Sequence, residues 1–541
     1  MSKKESFIKG TLILAAAALV ARVLGLAQKV PLEHLFDVTG NASFNVANTV
    51  YLMLLPLATA GIPSTLSKMV SERYALNRPH EAQQIYRAAL IFAVIVGVLM
   101  STILYIAAPY YAEYTKVPES ALAIRAIAPA LLLFPSIAMM RGYFQGRNNM
   151  MAGGISQIVE QIARVSTAIL LAYILLRQGY DNTWMAAGAS FGSVFGSIGA
   201  FGVMLYYAVK MRRTEEKAAL YDSSEARLPL LGIYKDIFKL SIPIVLSSIA
   251  VPVVNLIDTS LIVPLLSGQV GIAEATRALS IYGSRAQSVA GIPPVLSIAL
   301  STSLIPIISA AFARKEEQHL KRQVTLALRI SILTGTPIVI ALVAASYSVN
   351  GLLFSTLDGS GIIAMLTFGA IFQITMMTTN SILLGMGKSR ISMYYVFAGI
   401  LVKLAGSFLF SKIFGIYGII GATALCFLVI TYLNLRMLKS IVPFTIMGKR
   451  WGGFAIAVLA SGGIGYGLNE AGIMMTRLMP DRVAFLLTCL IVGAAVVVIY
   501  LVLLIVLGVL SRQEIAGYPR PLQKLLNPLM KLQPAYVRTN E

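Results

Sequence analysis

Apolar runs of about 20 residues alternate with short charged segments along the whole chain, and each is long enough to cross a hydrocarbon core about 30 Å thick as a helix. The pattern predicts fourteen helices, at 8–28, 42–66, 84–108, 120–143, 153–176, 184–209, 238–264, 277–310, 324–347, 361–386, 391–411, 416–438, 451–469 and 482–510. The expected fold is an all-α, polytopic membrane protein, because a backbone facing lipid must pair its own N–H and C=O groups within the segment.

The polar positions give the orientation. With the N-terminus placed in the cytoplasm, 32 of the 44 Lys and Arg residues fall at the cytoplasmic side and six in the outer loops. The remaining six, Arg22, Arg125, Arg164, Arg277, Arg285 and Lys403, fall inside helices. This asymmetry is the positive-inside signal and predicts a multi-pass plasma-membrane protein with both termini cytoplasmic. Composition agrees: of 541 residues 57% are apolar and 12% charged. The net charge of +21 therefore reports membrane orientation and not nucleic-acid binding, since its charges sit in the loops. Lys3-Lys4 before the first apolar run imitates a signal peptide, but the many later spans make that run the first helix. Cys426 and Cys489 lie in apolar runs and indicate neither a disulfide framework nor a metal site.

The first twelve helices read as two copies of six. Leu55-Pro56-Leu57, the helix after it and the loop Lys68–Arg87 recur 238 residues later, where Pro294-Val295 leads through Leu304 to the basic loop Arg314–Arg322. Gly146, eighteen residues before Arg164, recurs 239 residues later as Gly385, eighteen before Lys403. An even number of helices per copy makes the repeats parallel. The expected organisation is a first lobe at 1–209, a cytoplasmic linker at 210–237, a second lobe at 238–440, two further helices at 441–510 and a cytoplasmic tail at 511–541. Leu522–Leu532 either lies on the inner leaflet or belongs to a plain disordered tail.

Charges inside the apolar runs are the candidate chemistry. Arg22 lies roughly 20 Å along its helix from Ile8, past the bilayer middle. A guanidinium cannot shed its charge, so it faces a polar cavity or reaches the far interface. Glu160 and Arg164, four apart and flanked by Gln157 and Gln161, predict an intrahelical ion pair, structural or gating. Asp258 lies deep in the seventh predicted helix, and Lys403 at a comparable outer-half depth in the eleventh. Asn41, Asn45 and Asn48 share one helix face, as a sugar-contacting wall or as interhelical hydrogen bonds. Pro56, Pro63, Pro129, Pro135, Pro243, Pro252, Pro293, Pro294 and Pro306 interrupt helices, as working bends or static kinks. Gly462-Gly463-Ile464-Gly465-Tyr466-Gly467 has no preceding strand and reads as close packing or room for a prenyl tail, not a nucleotide loop. An enzyme is disfavoured: His34, His80 and His319 are loop residues and no acidic cluster sits at a helix mouth.

Arg141-Gly142-Tyr143-Phe144-Gln145-Gly146 followed by Ser156-Gln157-Ile158-Val159-Glu160-Gln161-Ile162-Ala163-Arg164 resembles the multidrug/oligosaccharidyl-lipid/polysaccharide (MOP) exporter superfamily. Ala21-Arg22-Val23-Leu24-Gly25-Leu26 and Tyr282-Gly283-Ser284-Arg285 resemble first- and eighth-helix motifs of its polysaccharide-biosynthesis branch, the branch of stage V sporulation protein B and the MurJ-type lipid II flippases. The resemblance implies two six-helix lobes around a cationic cavity and a lipid-tail groove on the last two helices. It implies a cargo of undecaprenyl-pyrophosphate-linked peptidoglycan precursor, carried from inner to outer leaflet. It implies a secondary flippase with no cofactor, driven by a coupling ion or by membrane potential. Its partners would be membrane lipids and the division or cell-wall synthesis machinery, and its role vegetative or sporulation-linked. Arg22 and Arg285 are then the expected diphosphate clasp, one from each lobe, since arginine forks match phosphate. Gln28 and Lys29 stand where enterobacterial members carry Arg-Asp, and Pro56–Pro63 lacks their second-helix arginine. Lys29 is either a substitute cation or an interfacial lysine. Some relatives hold sodium against an acid on the seventh helix, so Lys403 is expected to pair with Asp258 in place of that ion. Alternatives are a flippase for another polyprenyl-linked polysaccharide, a drug or cation exporter of the same superfamily, and a structural partner in division or sporulation.

Overall fold

The computed structural model describes residues 17–510 except 18, 19, 22, 26, 60, 61, 77, 148, 217–229, 296, 298–304, 306, 307, 310 and 355. Arg22, Pro306, most of the span 8–28, much of the linker and the whole tail at 511–541 therefore lie outside the described residues. Among the described residues the chain is helical throughout, with no strand. In order, the helices are α1 (Lys29–Leu35), α2 (Val38–Thr59), α3 (Ile62–Ala75), α4 (Pro79–Tyr114), α5 (Ser120–Ile127), α6 (Ala130–Gly146), α7 (Met150–Arg177), α8 (Asn182–Glu216), α9 (Leu230–Ser248) and α10 (Ala250–Val270). They continue as α11 (Ile272–Ser280), a π-helical turn Ile281–Ala286, α12 (Gln287–Ala290), α13 (Glu317–Ala344), α14 (Ser346–Leu353), α15 (Ser360–Gly385), α16 (Ser389–Phe414), α17 (Ile416–Ile441), α18 (Trp451–Met474) and α19 (Asp481–Val506).

Helix α4 shows why these segments need lipid. Its inward face is a stripe of small side chains, Ala89, Ala93, Gly97, Ser101, Ala108 and Ala112, interrupted by Leu104. Its outward face leaves Ile95 and Ile106 each 61% exposed, with Ile91, Val98 and Leu99 beside them. An apolar face of that length is stable against hydrocarbon, not against water. Eleven helical segments among the described residues are long and apolar enough to cross a membrane. They coincide with eleven of the fourteen predicted spans. The other three, 8–28, 42–66 and 277–310, each include residues outside the described set.

Prolines set breaks that the hydropathy pattern does not show. The predicted span 238–264 is two helices, α9 and α10, meeting at Ile249. Pro252 has no N–H for the carbonyl four residues back, that of Ser248, and its ring crowds that carbonyl. The ladder resumes one residue on, with the Val253 amide donating to the Ile249 carbonyl at 2.9 Å. Pro129 likewise separates α5 from α6 within one membrane segment.

The fold divides into two compact units, Met1–Ser284 with Gly387–Cys426, and Arg285–Met386 with Phe427–Glu541. In the first, α7 and α8 form the most extensive helix pair, and α6 packs on α3 and α4. In the second, α13 packs on α15, α18 and α19. A single contact occurs once in each. Gly146 closes on α3 so tightly that an added Cβ would lie 2.6 Å from the Ser67 carbonyl oxygen and 2.9 Å from Val70. Gly385 does the same, with an added Cβ 3.1 Å from the Ile305 carbonyl oxygen and 3.0 Å from Ile308. Residues 305 and 308 stand 238 positions after 67 and 70, so the sequence repeat is also a packing repeat.

The tighter approach at Gly146 sets an order. Gly146→Ala should lower the thermal midpoint of the purified chain by more than Gly385→Ala, with overpacking of about 1–3 kcal/mol at the first site. Thermal melts of the two variants followed by size-exclusion fluorescence check this.

Candidate functional site

The most deeply buried charges lie in the first unit. Asp258 on α10 and Lys403 on α16 are both 0% exposed and form a direct ion pair through Asp258 Oδ1. The other carboxylate oxygen, Oδ2, accepts hydrogen bonds from Tyr282 Oη at 2.8 Å and Thr423 Oγ1 at 2.9 Å. Lys403 Nζ also donates to the Ile419 carbonyl at 2.8 Å. Desolvation of two such charges is offset only where the remaining hydrogen-bonding capacity is used as well, and here hydroxyls and a carbonyl supply it. Tyr282 comes from the π-helical turn, which widens the ladder by one residue per turn and rotates the residues C-terminal to it.

A second cluster lies around the same turn. Lys29 Nζ donates to the Gly283 carbonyl at 2.8 Å, and Asn45 Nδ2 to Ser284 Oγ at 3.3 Å. A Cβ on residue 283 would sit 2.5–2.7 Å from atoms of the Asn45 side chain, so only glycine admits that approach. One turn further along α2, Thr49 accepts from Thr259 on α10 at 3.4 Å. The predicted asparagine face is thus divided in use. Asn41 donates to the Asp37 carbonyl at its own helix start, Asn45 crosses to the turn, and Asn48 stays half-buried. Gln28 is buried at the junction leading into α1.

Arg285, near the end of this turn, falls in the second unit. It is buried, and its Nη1 donates to the Thr356 carbonyl at 3.0 Å, to Thr356 Oγ1 at 2.8 Å and to the Asp358 carbonyl at 3.2 Å. Its guanidinium lies over the Phe354 ring at 5.6 Å. The segment after α14 therefore cradles the arginine with carbonyls.

Glu160 and Arg164 do not pair. The Glu160 carboxylate takes Arg141 Nη2 from α6 at 2.7 Å, and the same nitrogen donates to Ser156 at 2.7 Å. Arg164 instead donates to Gln161 at 2.7 Å. A tertiary partner with a shared hydroxyl outcompetes the local four-residue spacing. Counting charges along the sequence assigns Arg141 and Arg329 to the cytoplasmic side. Both are helical, and Arg329 is buried with Nη2 donating to the Val509 carbonyl at 2.8 Å. The visible signal for Arg141 is its place directly before Gly142, in the segment that carries the family resemblance.

Similarity to known proteins gives the family. The family model for polysaccharide biosynthesis proteins matches residues 7–312, more than half the chain, and the MatE model matches 243–409. From Bacillus subtilis, the uncharacterized membrane protein YabM is 28% identical, with 81% of each chain covered. The lipid II flippase MurJ of that organism is 24% identical, with 85% of each chain covered. Its stage V sporulation protein B is 23% identical across 95% of this chain and 98% of that one. Among solved structures, an inward-facing multidrug resistance MATE family transporter of the MOP superfamily shares the fold, with a TM-score of 0.65 and 14% identity over 78% of this chain and 95% of that one. The helical membrane architecture, the repeat and the family match together make this chain a member of the polysaccharide biosynthesis protein family, within the MOP superfamily of membrane transporters.

Proposed function

We propose that the chain is a flippase that moves undecaprenyl-pyrophosphate-linked peptidoglycan precursor from the inner to the outer leaflet of a bacterial plasma membrane, by alternating access. Its termini are cytoplasmic, and the sequence halves 1–209 and 238–440 are the moving lobes. The likeness to a lipid II flippase over 85% of each chain supports the cargo. The observation that carries the anionic head group is that Glu160 and Asp258, the carboxylates placed midway along their membrane helices, are each held by a cation of the chain. An exporter of organic cations needs a carboxylate to offer its cargo, and these two are committed. Arg22 and Arg285 hold the diphosphate, Lys29 and Gln28 stand beside the head group, and Asn48, the half-buried member of the asparagine face that Asn41 and Asn45 begin, meets its sugars. Membrane potential contributes to the drive, since one charge moved through 100 mV is worth about 2.3 kcal/mol.

In this reading the ammonium of Lys403 does the work of a bound cation at Asp258. No ion is then needed to neutralise that carboxylate.

Two outcomes test these assignments. Arg22→Ala, and separately Arg285→Ala, should abolish rescue of cells depleted of their own lipid II flippase, with unchanged protein levels and no flipping of labelled lipid II. Full growth of either variant removes the clasp. Lys403→Ala should lose about 3–5 kcal/mol of stability by leaving Asp258 uncompensated. Adding Asp258→Asn should restore part of it, and sodium should raise the melting midpoint of Lys403→Ala but not of the wild type.

A further inference from the structure

On α7, Gln157, Glu160, Gln161 and Arg164 follow the three- and four-residue spacing that puts side chains on one helix face. Because Arg141 takes Glu160, Arg164 is left as a cation with no carboxylate within 4.0 Å among the described residues. Its one hydrogen bond there is to the neutral amide of Gln161. Its Nε is buried with no acceptor, and Gln157 Oε1, on the same face, is buried with no donor. Arg164 as a whole is half-buried, and its tip runs close over residue 25, where an added Cβ would lie 3.3 Å from Nη2. A permanent charge near the middle of a membrane helix is costly unless something anionic meets it.

We propose that Arg164 and Gln157 form a binding subsite for a phosphorylated sugar. The two side chains are rooted about 10 Å apart along the helix. Phosphate oxygens fill the Arg164 side and a sugar hydroxyl or acetamido N–H donates to Gln157 Oε1. An inorganic anion answers only the guanidinium, and an uncharged sugar only the amide oxygen. A sugar phosphate answers both. Arg164 is thereby a ligand-contacting residue and not the ion-pair or gating element that its spacing from Glu160 suggests. The inference rests on the lipid-linked glycan reading above, and it names a contact for the part of the cargo where phosphate joins sugar.

Calorimetric titration of the purified full-length chain in detergent tests it with four probes: N-acetylglucosamine 1-phosphate, inorganic phosphate, N-acetylglucosamine and farnesyl-diphospho-N-acetylglucosamine. The wild type should hold the sugar phosphate more tightly than phosphate or sugar alone. Arg164→Gln should weaken both phosphorylated sugars by about tenfold or more, as loss of a charge-assisted hydrogen bond requires. Gln157→Leu should weaken the sugar phosphate and leave inorganic phosphate unchanged. Tighter binding of the farnesyl probe identifies a lipid head group as the ligand, and equal binding a soluble sugar phosphate. Wild-type affinity in Arg164→Gln overturns the subsite. If that variant does not fold, wild-type affinity of Gln157→Leu for the sugar phosphate overturns it instead, as does absence of binding by the wild type. Binding that depends on Arg164 in a chain that flips no lipid II keeps the subsite and removes the cargo. Flipping with binding indifferent to both variants removes the subsite alone.

Discussion

A charge inside a membrane has to be met by another charge or by a ring of hydrogen bonds, and that constraint shapes the interior of this protein. Asp258 gathers Lys403, Tyr282 and Thr423 around itself, so one carboxylate ties α10 to the π-helical turn, α16 and α17. Glu160 ties α7 to α6 through Arg141 and Ser156. Neither cluster tolerates the loss of a single member, because removing one strands another in low dielectric. These attachments fix which helices are neighbours more firmly than apolar contact does, since lipid competes for apolar surface and not for a carboxylate.

The π-helical turn is where this structural requirement and the candidate site meet. Over Ile281–Ala286 the helix is wound with an extra residue per turn. Tyr282 is directed at Asp258, the carbonyl of Gly283 receives Lys29, and Ser284 receives Asn45. Arg285 then enters a nest of carbonyls formed by Thr356 and Asp358. Four consecutive residues thus serve partners on four separate segments of the chain.

Much of this was legible in the amino-acid sequence because lipid leaves few choices. Length and apolarity alone specify spanning helices, and eleven predicted spans have their counterparts here. Asp258 and Lys403 could be matched from depth, since opposite charges buried at one level have strong reason to meet. The spacing of Gly146 before Arg164 and Gly385 before Lys403 marked the repeat, and its cause is the close approach each glycine permits. What could not be read was competition between partners. Glu160 had a local cation one turn away, and only the three-dimensional fold reveals that Arg141 reaches it together with Ser156. Arg141 and Arg329 escaped because a charge near the cytoplasmic end of a predicted span counts with the adjoining loop, although the span contains it. The break at Ile249 was legible through Pro252, although hydropathy alone does not register a missing N–H.

The two buried ion pairs differ in how far apart their members stand in the chain. Arg141 and Glu160 belong to consecutive helices joined by a connection of a few residues, so they can meet inside a hairpin as it leaves the insertion machinery. Asp258 is synthesised long before Lys403 and must wait in the bilayer for a helix that does not yet exist. Until α16 arrives, the Tyr282 hydroxyl is the donor nearest in the chain among its final partners. Biogenesis of this protein thus has a vulnerable interval between α10 and α16, and the second half of the molecule depends on its closing in time.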